Sequence, residues 1–555
     1  MALIIAIAYF VVLIVVATLY SRKKVKNASD FANAGGMLGW FQVTFIFVLA
    51  PLGSGHTMSL WEKAAGGGDL FGAFDGIGVG AMWWAIGAGA IFLPIAMLWI
   101  GPLYKKIGAP TAPTALMRIF GTKIGWFHAA FQTMTWSGIG TSELVATGAA
   151  IYTLCNASGI ALPLVWAVVI AFVITVCYVL FGGMLQMAWL NIVNAIVMLI
   201  CSYLAVVWIG VDYMSRAGIL DGSMSGWTSV FNVWSNAGYA SMTSQFGTLG
   251  LPAVWLGVII PVIVLHLTAG AVSQTMMQPF FAAKDVHACR KGVFLGCGIN
   301  ILSSLPWIFM AMAAVAVQNT SGWTNIAADS QLAAMGSDVA NGAYISANGL
   351  TAVPLIANEG LPTGVIGFMM VALLCATLST GGGVVLANGN VIANDVWIRC
   401  VKPQMSEKGK VVCNRVCCVI AGLILLPGAI LMRNEFVFSL FLWVFSFGMV
   451  MFILLLVGYH WKISRTAAWI SIIVAYVVDC VFTFIDMGTV FTTGLPSMLF
   501  SQPAGNLYAT MIVSIVVTIV LHLFTWKDQK PAWIKTHARL VDYNLEMQAK
   551  VAAQN

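Results

Sequence analysis

One pattern runs through the chain from Ala2 to Thr525: apolar stretches of about 20 residues or more, separated by short polar connections. Each stretch is long enough to cross a hydrocarbon layer of ~30 Å as a helix. The pattern predicts about thirteen spans, at 2–20, 38–62, 76–103, 124–154, 160–181, 186–210, 252–280, 290–318, 361–397, 411–432, 435–459, 463–485 and 507–525. The first, Ala2–Tyr20, has no basic segment before it and no small-residue cleavage site leading into a soluble domain. It reads as a retained helix and not a signal peptide.

Composition agrees with the pattern. Hydrophobic residues make up 60% of the chain and charged residues 8%, with a mean hydropathy of +0.93. Soluble domains carry roughly 25% charged residues, so the fold class is an all-α integral membrane bundle. The net charge of +7 does not point to nucleic acid, because Lys and Arg cluster in the connections in the way topology requires. "SRKKVK" (Ser21–Lys26) is assigned to the cytoplasm, which puts the N-terminus outside. Alternation then brings Lys105/Lys106/Arg118, Lys284/Arg290/Lys291, Arg399–Arg415, Lys462/Arg465 and the tail from Lys527 to the same side. The opposite segments 211–251, 319–360 and 486–506 hold a single basic residue, Arg216. An odd number of spans and a cytoplasmic C-terminus follow. No Gly-Lys-Ser/Thr phosphate loop occurs, so nucleotide drive is not expected. No enzymatic domain is expected either, and the eleven scattered cysteines read as small buried hydrophobes.

Two spans carry helix-breaking sequences. The second contains "LAPLGSGH" (Leu49–His56), where Pro51 lacks an N–H and Gly53 and Gly55 weaken the helix. The seventh contains "LHLTAGAVSQ" (Leu265–Gln274). The two lie five spans apart, as the discontinuous helices of inverted-repeat transporters do, with the binding site between them. The ninth span contains "ATLSTGGG" (Ala376–Gly383), two hydroxyls followed by three glycines. Either Ser379 and Thr380 bond their own helix one turn back, or they face carbonyls freed near Ala50 and Gly53 and help to hold a cation.

In order along the chain, "SRKKVKNASDFANAGGMLGW", "GGMLQMAWLNIVNAI", "QPFFAAKDVHACRKG" and "LPTGVIGFMMVALLCATLSTGGGVVLANGNVIAND" resemble the sodium:solute symporter family over roughly residues 20–460. The resemblance implies a leucine-transporter-type core of two inverted five-helix repeats. The repeats are expected at 37–210 and 252–460, with outer loops at 211–251 and 319–360. A preceding helix and basic loop occupy 1–36, two peripheral helices 461–525 and a cytoplasmic tail 526–555. It also implies a sodium ion held by Ala50, Gly53, Ala376, Ser379 and Thr380. Asn191 stands where many members carry Asp, so one sodium per cycle is expected.

The implied function is sodium-coupled import of a small polar, zwitterionic or charged organic solute by alternating access in the cell membrane. Its partners are the solute, sodium and lipid. His56, Thr57, Glu143, His266, Gly270 and Gln274 are the candidate solute-binding residues, and Asn191 and Glu143 the candidate coupling residues. The sugar-transporting branch has aromatic and polar residues around Ala269–Gly270 and an acid near His56, which disfavours a sugar here. Two alternatives stay open on the residues: a proton-coupled or uncoupled carrier, and a transporter-like sensor acting through a partner protein.

Overall fold

In lipid the backbone has to satisfy its own hydrogen bonds, and the apolar runs form helices accordingly. The computed structural model describes residues 2–53, 78–87, 93–120, 122–157, 159–208, 273–318, 363–432, 465–485, 487–500 and 505–525, with single positions 56, 57, 60, 64, 227, 255, 259, 260, 263 and 264 between them. The principal helices are α1 (Ala2–Arg22), α2 (Ala28–Asn33), α3 (Trp40–Leu49), α4 (Leu93–Ile107), α5 (Ala112–Phe120), α6 (Thr122–Ala157) and α7 (Leu164–Leu180). They are followed by α8 (Gly183–Trp208), α9 (Gln274–Ala282), α10 (Val286–Gln318), α11 (Thr363–Asn390), α12 (Glu407–Leu431), α13 (Arg465–Phe484) and α14 (Gly505–Thr525). Among the described residues the only strand-like pairing is an isolated bridge between Leu38 and Ala283. The span predicted at 435–459, the loop 319–360 and the tail 526–555 lie outside the described residues, as does the loop 211–251 apart from Trp227.

Six of the described helical segments are long and apolar enough to cross a membrane. Residues 371–391 are all buried, whereas the apolar window of α1 is 22% buried. The ninth predicted span is therefore the axis of the bundle, packed against α1, α6, α7, α8 and α12. It continues beyond its predicted end as a π-helix, Val391–Val401.

Both predicted breaks have structural counterparts. α3 stops at Leu49, residues 50–53 are non-helical, and His56 and Thr57 are helical again. In the seventh span, residues 265–272 lie outside the described residues. A fresh helix starts at Gln274, capped by the Ser273 hydroxyl, which accepts from the Met276 N–H at 3.1 Å.

Among the described residues, four of the basic connections, around 21–33, 105–118, 281–285 and 402–415, meet one another. Lys105 Nζ donates to the Phe281 and Ala283 carbonyls at 3.2 and 2.5 Å, placing a cation at the C-terminus of α9. Asn33 donates to Pro110 O at 3.0 Å, Arg415 to Phe181 O at 2.9 Å, and the Ala28 N–H to Glu407 at 3.5 Å.

The three glycines of the ninth span are regular α-helix, so they do not loosen it. They let neighbours approach closely, as small residues do in membranes. A methyl group at Gly382 would lie 2.7 Å from the Tyr178 ring of α7, whereas one at Gly383 would make an ordinary 3.6 Å contact with Thr275. We therefore expect Gly382→Ala to cost about 1–3 kcal/mol and Gly383→Ala to be near neutral, as read from thermal melting of the detergent-solubilised protein. Equal effects would contradict the close packing of α7 on α11.

Candidate functional site

The end of α3 defines the site. The Leu52 N–H turns back to the Leu49 carbonyl at 3.0 Å, so the Val48 carbonyl loses its usual helical donor. Side chains from two other helices meet the exposed carbonyls. Asn300 Nδ2 of α10 donates to Val48 O at 2.9 Å. Thr380 Oγ1 of α11 lies 3.0 Å from Leu49 O and 3.3 Å from Ala50 O. Ser379 Oγ lies 3.4 Å from Leu49 O and 3.0 Å from Ala376 O. Five oxygens thus converge in a buried space: three carbonyls, from Leu49, Ala50 and Ala376, and two hydroxyls. Ser379 reaches both its own helix, at Ala376 O, and the broken one, at Leu49 O.

The structure brings Ala50, Ala376, Ser379 and Thr380 together and adds Leu49. Gly53 takes part in a different way. Its carbonyl starts the next helical segment, accepting from the His56 and Thr57 N–H groups at 3.0 and 2.9 Å and from the Thr57 hydroxyl at 3.1 Å. Its missing side chain is what matters: a methyl there would overlap Glu143 Oε1 and lie 2.6 Å from Thr380 Oγ1.

The residues expected to bind solute are dispersed. Glu143 is buried beside Gly53, and its Cβ would lie 3.4 Å from a methyl on Gly381. His56 Nε2 pairs with Ser304 Oγ of α10 at 3.2 Å, one turn from Asn300. The Thr57 hydroxyl bonds its own helix. Gln274 is a structural cap: its Oε1 accepts from the Ala112 N–H at 2.6 Å and its own N–H donates to Gln132 at 3.1 Å, tying α5 and α6 to α9. His266 and Gly270 lie outside the described residues. Asn191 belongs to a neutral chain: Tyr178 donates to Asn191 Oδ1 at 2.9 Å, Asn194 to Tyr178 at 2.7 Å, and Tyr9 of α1 to Asn194 at 2.8 Å.

Asp395 reads in the sequence as an ordinary cytoplasmic end residue, but it is fully buried. It accepts from the Thr111 and Thr114 hydroxyls at 2.7 and 2.5 Å and faces Arg399 at 3.8 Å, fastening the N-terminus of α5 to the end of the axial helix.

A membrane bundle with a broken span, its freed carbonyls met by hydroxyls of an enclosed neighbouring helix, has the architecture of a secondary transporter. The sodium:solute symporter family model matches residues 31–475. The chain belongs to that family. It is 22% identical over 424 residues to sodium/glucose cotransporter 4 of Danio rerio, covering 74% of this chain and 60% of that protein. It is also 22% identical over 555 residues to sodium/myo-inositol cotransporter 2 of Homo sapiens, covering 95% and 76%. The sodium/glucose cotransporter of Vibrio parahaemolyticus is 22% identical, with coverage of 75% and 72%. The chain thus spans about 60% of the length of the first of these relatives. A Na+-coupled sialic acid symporter, solved substrate-bound and outward-open, superposes with a TM-score of 0.68 at 16% identity, covering 94% of this chain and 98% of that one. That likeness carries the leucine-transporter-type fold implied by the sequence motifs.

Removing the Asp395 carboxylate takes away the acceptor of two buried hydroxyls, Thr111 and Thr114, at about 1–3 kcal/mol for each group left unsatisfied. Asp395→Ala should therefore speed amide exchange over residues 111–120 while leaving α13 and α14 unchanged. Unaltered exchange over α5 would mean that Asp395 does not fasten it.

Proposed function

We propose that this protein is a sodium-coupled importer of a small polar solute, working by alternating access. The observation that carries the reading is the pair of adjacent hydroxyls, Ser379 and Thr380, reaching the Leu49 and Ala50 carbonyls some 330 residues away in sequence. A hydroxyl has one proton and two lone pairs. With the site empty, the protons of Ser379 and Thr380 satisfy the freed carbonyls. With an ion bound, both hydroxyls rotate to present lone pairs, and the five oxygens face a hard cation in place of its water. The ion then ties the broken span to the axial helix.

In this cycle the tie favours the outward-open state and shapes the space between the second and seventh spans. Solute binding closes the outer side, and release of both follows inside. Each ligand raises the affinity for the other by the same factor. The N-terminus lies outside and the C-terminus in the cytoplasm, with the repeats at 37–210 and 252–460. Relatives named for glucose and myo-inositol, and a structural neighbour named for sialic acid, favour a hydroxyl-rich solute. The sequence argument against a sugar leans on Ala269 and Gly270, outside the described residues, and on His56, which Ser304 engages. Sugars, polyols and sugar acids therefore belong in the first solute panel, beside zwitterions. The neutral Asn191 chain supports one sodium per cycle.

The test is uptake into proteoliposomes at fixed pH, with solutes first selected by thermal stabilisation with and without sodium. A sodium gradient should drive accumulation, and Ser379→Ala with Thr380→Ala should raise the half-saturating sodium concentration by roughly tenfold or more. Accumulation driven by a proton gradient and indifferent to sodium would contradict the reading.

A further inference from the structure

The end of α1, the turn between α7 and α8 and the first half of α12 meet at one place. Ser21 is buried against the turn, where a methyl at Gly182 would overlap its hydroxyl. The next residue, Arg22, is exposed. Arg415 of α12 donates from Nη2 to the carbonyl of Phe181, the residue before Gly182, at 2.9 Å. Two guanidinium groups are thus brought to the same turn, close enough for their charges to oppose one another. Among the described residues neither arginine has an acidic partner, and Arg415 makes this one hydrogen bond out of a guanidinium with five N–H groups. The acids of the neighbouring elements are engaged already. Asp30 accepts from the Lys26 and Asn27 N–H groups at 2.9 and 3.2 Å, and Glu407 pairs with Lys410 at 2.8 Å.

The surroundings are apolar and outward-facing. Leu19 of α1, Phe181 at the turn, and Val412 and Val416 on either side of Arg415 are all exposed. Tyr20 packs edge-on against Trp189 of α8 with ring centroids 5.3 Å apart, and both rings are exposed. Amphipathic rings of this kind sit at the level of the lipid headgroups. We propose that Arg22 and Arg415 together hold the phosphate of an anionic membrane lipid, whose acyl chains lie along the exposed apolar faces of α1 and α12. Two like charges this close at the edge of a low-dielectric layer oppose the packing of α1 on the core, and a phosphate between them reverses the sign of that interaction. The guanidinium fork matches phosphate oxygens two at a time, and basic pockets between membrane helices are suited to acidic headgroups. The lipid fastens α1, which lies outside the family-matched residues 31–475, to the core at its charged end. The proposal stands apart from the sodium reading.

Native mass spectrometry and thermal melting of the full-length protein in detergent, titrated with dioleoyl-phosphatidylglycerol or dioleoyl-phosphatidylcholine, test this. Phosphatidylglycerol should bind more tightly and raise the melting temperature further. Arg22→Gln with Arg415→Gln should weaken phosphatidylglycerol binding about 10- to 30-fold and remove the preference. Lys402→Gln with Lys408→Gln removes the same charge from exposed positions elsewhere and should leave the preference intact. Arg22→Gln alone, at an exposed side chain, should give part of the loss and reads the same contact if the double variant folds poorly. Inorganic phosphate and glycerol 1-phosphate, which lack acyl chains, should not reproduce the stabilisation. Equal binding of the two lipids, or an equal loss in the lysine variant, would overturn the proposal. Stabilisation by inorganic phosphate alone would replace the lipid with a soluble anion.

Discussion

A transmembrane helix that stops inside the bilayer leaves carbonyl groups without donors in a medium that offers none. That constraint, set at Leu49 by the Pro51 that follows, organises this molecule. The Val48 carbonyl, left without its helical donor, is met by Asn300 of α10, and the Leu49 carbonyl, which also accepts from the Leu52 N–H, and the Ala50 carbonyl are met by Ser379 and Thr380 of α11. His56, beyond the break, meets Ser304 of the same α10. The broken span is thus held from two sides by side chains that satisfy its backbone, and its exact path depends on them.

The two sides differ in kind. Asn300 uses an amide NH2, which can only donate, in its bond to the Val48 carbonyl. Ser379 and Thr380 use hydroxyls, which can donate when the site is empty and accept when an ion arrives. Over the proposed cycle the amide contact is kept and the hydroxyl contacts respond to the ion. In the proposed cycle this lets a small cation bias a large rearrangement, because it interacts differently with states in which the two helices are together or apart. Elsewhere in the bundle, Asp395 with Thr111 and Thr114, and Gln274 with Ala112, hold the start of α5.

Much of this was legible in the sequence, for local reasons. Pro51 breaks a helix wherever it sits in one, the basic connections report their own side, and two hydroxylic residues in an apolar run demand a partner. The partners themselves were not legible. Asn300 reads as one more polar residue in a long span until it lies against Val48, 252 residues earlier. Gln274 looked like pocket lining because it follows a glycine-containing break, but its amide closes on the start of α5. Glu143 announced its depth and not its neighbours, which two distant glycines decide. Gly53, expected to offer its carbonyl, also leaves a gap that a methyl would fill against Glu143 and Thr380. Contact across hundreds of residues fixes these roles, and no short motif carries that information.

The central claim is that a cation fastens the unwound segment to the hydroxyl pair of the axial helix. Amide hydrogen exchange over residues 49–57, compared in sodium and in potassium at equal ionic strength and without solute, reads this directly. The account predicts slower exchange in sodium at this segment, with the difference abolished when both Ser379 and Thr380 are changed to alanine. Identical exchange in the two salts would contradict it.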